Sequence, residues 1–185
     1  MEGSEKMDDP VLYVVSCGSP AADGLPEFVR QTKRDGWRPC VVTTPMGSRF
    51  FDLEELEQLT GYPVRSVYKN PDDPDVLPLA NAVVVAPATF NTVNKIANGI
   101  TDTLATGLIC EYIGLGVPVL VVPSVNEALA NHGAFRRSLG YLADGGVHLI
   151  LNKITNLEPR SASTLDVEFP WELTMRTLNA LRDKT

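Results

Sequence analysis

Three clusters of small and polar residues each follow an apolar run. The first is Cys17-Gly18-Ser19-Pro20-Ala21-Ala22, after Val11-Leu12-Tyr13-Val14-Val15-Ser16. A turn of this kind, between a strand and a helix, presents backbone N–H groups and a hydroxyl at a helix N-terminus, which is a ready anion site. Ordinary tight turns use the same residues. The second cluster is Ala88-Thr89-Phe90-Asn91-Thr92, after Ala82-Val83-Val84-Val85-Ala86-Pro87. If that run is a strand of a parallel sheet, the turn after it lies at the carboxyl end, where ligands bind. The third, Ser124-Val125-Asn126, follows Val117-Pro118-Val119-Leu120-Val121-Val122-Pro123. No G-x-G-x-x-G follows any strand, so a dinucleotide fingerprint is missing. Two histidines, His132 and His148, and three widely spaced cysteines, Cys17, Cys40 and Cys110, make neither a histidine-rich metal site nor a disulfide framework.

These clusters need strands and helices to position them. Buried strands are expected at residues 11–16, 39–44, 82–86, 117–122 and 147–151, each a short apolar run. Pro87, without an N–H, is expected to stop the third. Between them lie helical segments: one around residues 26–29 ending at Gly36, and one over residues 51–60 with Asp52 near its start and Gly61 after it. A third should run from Thr92 through Val93, Ile96, Ala97, Ile100 and Leu104. Further helices are expected at residues 107–112 and 128–143, and a last one starts at Pro170, with Leu173, Leu178 and Leu181 as its packing face. Residues 62–77 are rich in Pro and Asp and read as loop. Strand–helix alternation predicts a single α/β domain, a doubly wound parallel sheet of three layers, Rossmann-like or flavodoxin-like. Residues 1–10 are expected to be a disordered tail, 11–151 the domain, and 152–185 an extension with a packing helix. No repeat and no second hydrophobic core is expected.

Composition narrows the function. At 44% hydrophobic and 21% charged, the chain is an ordinary globular protein large enough for a sizeable core. A formal charge of −7 argues against nucleic acid and against an anionic membrane surface. No apolar run reaches the ~20 residues of a membrane span, and the acidic start is not a signal peptide. The free cysteines suit a reducing cytoplasm.

The turn Pro87-Ala88-Thr89-Phe90-Asn91-Thr92, with Lys95-Ile96-Ala97-Asn98-Gly99-Ile100 and Asp102 beyond it, resembles the signature of the homo-oligomeric flavin-containing cysteine decarboxylases. That family includes phosphopantothenoylcysteine decarboxylase and the peptidyl-cysteine decarboxylases of lantibiotic synthesis; its pattern is PASANT or PATANT followed by KIAxGIADNL. Phe90, Thr101 and Thr103 depart from it. Gly18-Ser19-Pro20-Ala21-Ala22 is similar to the family's GSIAAYK, and Pro123 to Ala134 to PAMNxxMWxHPA. The resemblance covers about residues 11–150. It implies FMN as cofactor, with Gly18 and Ser19 at its phosphate, Thr43 or Thr44 at the family's hydroxyl position, and Ala88, Thr89, Phe90, Asn91, Asp102 and Ser124 around it. Asn126 matches the asparagine that holds the substrate carboxylate. Phe90 is expected near the flavin ring or a neighbouring protomer, or else in the core. His132 is expected to be a surface or cap histidine.

Two departures bear on activity. Aligning the family's HIxLxxxAD on the segment ending at Asn81 puts Asp73 where its catalytic histidine stands, and no histidine occurs between residues 1 and 131. Residues 152–185 hold neither the cysteine nor the glycines of the family's flap. In the family a cysteine thiol is oxidised on the flavin and the thioaldehyde loses CO2. Here Asp73 or Asp75 would have to serve as base, which requires desolvation. The resemblance therefore implies an FMN protein with altered or reduced decarboxylase or oxidoreductase chemistry on a small or C-terminal cysteine-containing substrate, assembled as a trimer or a multiple of one. Alternatives are a non-catalytic flavin-binding or regulatory subunit and a protein like the flavin prenyltransferases.

Overall fold

The first apolar run forms β1 (Val11–Ser16), and all six of its residues are buried. A strand buried on both faces must lie inside a sheet with layers above and below. The computed structural model describes residues 9–151 and 168–183. Within them β1 pairs in parallel with β2 (Arg38–Thr43) on one side and β3 (Ala82–Ala88) on the other. Beyond β3 come β4 (Val119–Pro123) and the two-residue β5 (His148–Leu149), so the order is β2-β1-β3-β4-β5, all parallel. This is the doubly wound α/β domain expected from the alternation.

The sheet divides the core in two, where the sequence reading expected one. Val11, Tyr13 and Val15 face a cluster formed with α3 (Phe90–Ala97), α4 (Leu104–Gly114) and α6 (Gly133–Asp144). Leu12 and Val14 face the opposite cluster, with α1 (Leu25–Arg34), α2 (Leu53–Thr60) and α7 (Trp171–Arg182). The period-two alternation of a strand requires this split once both faces are covered. On α7, Met175 and Leu178 are buried, whereas Leu173, expected on the packing face, is exposed.

Three local expectations change. Pro87 does not end β3; it lies inside the strand, at an irregularity between the paired residues Val85 and Ala88, where a missing N–H costs no ladder bond. The helix expected from Thr92 to Leu104 is two helices. Gly99, at φ +66°, ends α3: Gly99 N–H bonds Ile96 O at 3.2 Å and Ile100 N–H bonds Lys95 O at 2.9 Å. This is a Schellman stop, and it leaves Ile100 exposed. Likewise residues 128–143 divide into α5 (Glu127–Ala130) and α6, because His132 accepts Ala134 N–H through Nδ1 at 3.1 Å and starts a new helix. The polar stretch 156–166 and most of the N-terminal tail lie outside the described residues.

Candidate functional site

The chain leaves β1 toward α1 on one face and leaves β3, its sheet neighbour, toward α3 on the other. At such a switch of direction the loops diverge and a crevice opens at the carboxyl ends of the strands. A cleft of about 480 Å³ is found there, lined by Gly18 after β1, Thr44, Pro45 and Met46 after β2, and Thr89 and Asn91 after β3. Thr92, Lys95, Thr103 and Thr106 complete the wall. Thr89 caps α3, and Thr103 caps α4 in a reciprocal capping box with Thr106, so the N-termini of two helices face one space. Their partial positive charge favours an anionic or electron-rich group.

The three loops are fastened to each other. Ser19, buried, caps a short 3-10 turn, Pro20–Gly24, and its hydroxyl lies 2.8 Å from that of Ser124. Ser124 N–H in turn donates to Ala88 O at 2.8 Å, tying β4's end to β3's. Cys17 N–H donates to Pro87 O at 3.1 Å, tying β1's end to β3's. Gly47 carries the loop after β2 over β1: a Cβ there would meet Ser16 O at 2.7 Å and Cys17 C at 3.2 Å, both backbone. Thr44 Oγ1 accepts Gly47 N–H at 3.0 Å. A Cβ on Gly18 would meet Phe50 Cε2 at 2.9 Å. Under this loop the hydroxyls of Ser16 and Thr43, register partners on β1 and β2, are buried without a hydrogen-bond partner among the described residues.

Of the residues singled out by sequence, Gly18, Thr44, Thr89 and Asn91 line the cleft. Ser19, Ser124, Thr43 and Ala88 lie just behind it, in the strands and loops that frame it. Phe90 turns away, stacking on Phe135 at 5.7 Å and meeting His132 edge-on at 5.7 Å, which is the core placement of the two expected for it. Asp102 is not in the wall; it pairs with Lys95 Nζ at 2.7 Å, and Lys95 is in the wall. Asn126 is exposed and caps α5, its Oδ1 accepting Leu129 N–H at 2.9 Å. Asp73 and Asp75 lie in the loop after α2. Asp73 accepts both the backbone and side-chain N–H of Asn70, and Asp75, 84% exposed, pairs with Lys69 Nζ at 2.8 Å. Neither lines the cleft, and neither is desolvated.

Sequence reasoning missed Pro45, Met46 and Thr106 of the wall and Gly47 beside it, and gave no site role to Thr92, Lys95 and Thr103, which it had only quoted in or near the signature. The Thr103-x-x-Thr106 spacing carries a helix-start signal; nothing local marks Gly47, whose need for a missing side chain arises from β1. Burial raises the Cys17 thiol above its ordinary range, against hydrogen bonds with Thr92 and Thr89 that lower it. Burial also pushes Cys40 up, to about 12, and raises Cys110. A larger cavity, about 710 Å³, opens between α3, α4 and α6 beside Cys110, Arg137 and Tyr141; Ile96 to Gly99 of the signature line it, but none of the residues expected at the cofactor or substrate does. The cleft at the switch point is the better candidate because the fastened loops converge there. Among the described residues no cluster of His, Cys, Asp or Glu could hold a metal ion, and no helix is long and apolar enough to cross a membrane.

A family model described as Flavoprotein matches residues 1–168. The chain belongs to that family. Among flavoprotein relatives, it is 39% identical over 67 residues to a cysteine/cysteine sulfinic acid decarboxylase of an unknown prokaryotic organism, covering 36% of this chain and 18% of that protein. It is 28% identical over 112 residues to the coenzyme A biosynthesis bifunctional protein CoaBC of Bacillus subtilis (strain 168), covering 57% and 27%. It is 33% identical over 137 residues to the phosphopantothenoylcysteine decarboxylase of Mus musculus, covering 70% and 66%. The chain thus spans less than a third of the length of the first two of these relatives. A crystal structure of an FMN-dependent cysteine decarboxylase, TvaF from thioviridamide biosynthesis, superposes with a TM-score of 0.68 at 26% identity, over 76% of this chain and 89% of that one. A PPC decarboxylase complexed with pantothenoylaminoethenethiol has the same fold, with a TM-score of 0.73 at 24% identity, over 95% and 99%.

Proposed function

We propose that this flavoprotein binds FMN in the cleft between the ends of β1, β2 and β3, and that its decarboxylation of cysteine-containing substrates is weak. The observation that carries the first part is the convergence of Gly18, Thr44 and Thr89, drawn from three separate loops, on one crevice, with Ser19 just behind it. The donor set suits the cofactor. Backbone N–H groups and the Ser19 hydroxyl would hold the phosphate, with Thr43 and Ser16 behind them, buried hydroxyls that lack partners among the described residues. Met46 and Pro45 offer an apolar wall to a planar ring. The cleft volume lies within the ordinary range for small-molecule sites, about 300–1,000 Å³. FMN, when bound, supplies a two-electron sink that no side chain provides. Asn126 would orient a substrate carboxylate through its amide N–H groups, since Oδ1 is taken by the α5 cap.

The second part rests on Asp73. The resemblance puts it at a histidine position, and its carboxylate is exposed and engaged with Asn70. An exposed carboxylate is a poor proton acceptor near neutral pH, and a positioned general base is worth about a hundred- to ten-thousandfold in rate. Binding without efficient turnover is the expected result, which also accommodates a regulatory role. The rim of the cleft carries Met46 and Phe50, 57% and 37% exposed. Apolar side chains there fit a second protomer that closes over a flavin ring, in a trimer or a multiple of one.

Purified chain should carry flavin absorbance, and added FMN should raise its melting temperature, as a ligand of the native state must. Colourless protein without a shift would sink the reading. Light scattering of the FMN-loaded protein tests the assembly, and CO2 release from phosphopantothenoylcysteine and from peptides ending in cysteine tests the chemistry.

A further inference from the structure

Under the cleft wall, three side chains stand in one hydrogen-bonded line. Cys17, 1% exposed at the end of β1, donates its thiol to Thr92 Oγ1 at 3.2 Å. Thr92 Oγ1 lies 3.1 Å from Thr89 Oγ1, and Thr92 N–H donates to Thr89 Oγ1 at 3.4 Å. Thr92 is 3% exposed, while Thr89 is half-buried and stands in the wall.

The protons of this line have little freedom, because each hydroxyl has one proton and two lone pairs. Thr92 oxygen receives the Cys17 proton, and Thr89 Oγ1 is its one other hydrogen-bond partner among the described residues, so its own proton goes there. Thr89 oxygen then receives two protons, from the Thr92 hydroxyl and from Thr92 N–H, and has only its own left to give. That proton is left for the cleft, in whose wall Thr89 stands. A carbonyl oxygen or ring nitrogen of a ligand in the cleft is the kind of acceptor that takes it.

We infer that Cys17 and Thr92 are positioning residues that fix the polarity of this line, so that Thr89 meets the cleft ligand as a hydrogen-bond donor to an unprotonated oxygen or nitrogen. The inference rests on the flavin reading for the identity of the ligand. The direction of the line does not depend on it.

Two measurements on the full chain separate these. The infrared S–H stretching band, taken as wild type minus Cys17→Ala, reports whether the thiol donates. The band is expected at the lowered frequency of a donating thiol; Thr92→Val should return it to the free-thiol position and Thr92→Ser should not. In FMN titrations, Thr89→Val should weaken binding roughly three- to tenfold, the worth of one hydrogen bond, and shift the visible absorption maximum, while Thr89→Ser retains both. An S–H band that ignores Thr92→Val overturns the line itself, and can be read even if Thr89→Val fails to fold. FMN affinity and spectrum unchanged in Thr89→Val overturn the donor role. Wild type that binds no FMN at all overturns the flavin reading, and with it this use of Thr89, while leaving the band result intact.

Discussion

At the cleft, Ser19, Thr44, Thr89 and Thr92 each engage another loop or a helix end. In the loop 62–80, Asp73 turns back on Asn70 and Asp75 reaches out to Lys69. Both regions are polar and both lie between strands, yet they are built in opposite ways. The cleft is a set of donors held by buried neighbours, presented the same way to every ligand. The loop is anchored by Tyr13 Oη to Pro78 O at 2.9 Å and by Tyr68 Oη to Thr101 O and Thr103 O, but its carboxylates stand in water between the anchors. Preorganised groups bind and position; solvated carboxylates add charge but little directed chemistry. The contrast teaches that a site can keep its binding architecture while the group expected to move a proton lies outside it.

The comparison breaks hardest under the cleft. Phe135→Ala, in the fully buried ring under Phe90, should cost about 3–5 kcal/mol and loosen the start of α3; chemical denaturation and FMN titration should show both losses together. Gly47→Ala forces a Cβ against two backbone atoms. It should cost about 1–3 kcal/mol as overpacking and weaken FMN more than its stability loss explains.

Alkaline pH tests the buried thiols. Cys40 is held at about 12, above its ordinary value of 9.0, so its contribution is fully present below about pH 9 and is lost between there and pH 12 as the unfolded chain takes the thiolate form. Urea midpoints should be flat from pH 7 to 8.5 and drop by pH 10, by about 1 kcal/mol for this group, with a smaller drop in Cys40→Val. Smallest of all, Asp73→Asn and Asp75→Asn should change stability by less than about 0.5 kcal/mol and leave FMN affinity unaltered. A loss of FMN from either variant would erase the distinction between the two regions.

Much of this was legible because it rests on local rules. Gly36 and Gly61, read as helix stops, have φ of +81° and +77°, and Asp52 caps α2 as its position suggested. The run 82–86 forms most of β3, and the polar turn after it opens on the candidate cleft at the carboxyl end of the sheet. What failed did so where distant parts decide. Ile100 and Leu104 continue the helical period of α3, but Gly99 breaks the helix and α4 starts afresh. Phe90 follows the site residues in sequence, yet the apolar ring of Phe135, far along the chain, draws it into the core. Pro45 and Met46 become part of the wall, and Gly47 packs on the end of β1, only because β2 lies beside β1.

The placement of α7 has a consequence for the order in which the molecule is made. Trp171 packs on Phe28 with ring centroids 4.9 Å apart, Trp37 Nε1 donates to Asn179 Oδ1 at 3.2 Å, and Asn179 Nδ2 donates to Asp35 Oδ2 at 2.7 Å. The helix that starts from the Gly18-Ser19 turn is thus sealed by residues more than 140 positions later. On the ribosome, where chains emerge N-terminus first, α1 comes out well before α7, so its outer face stays open until α7 docks.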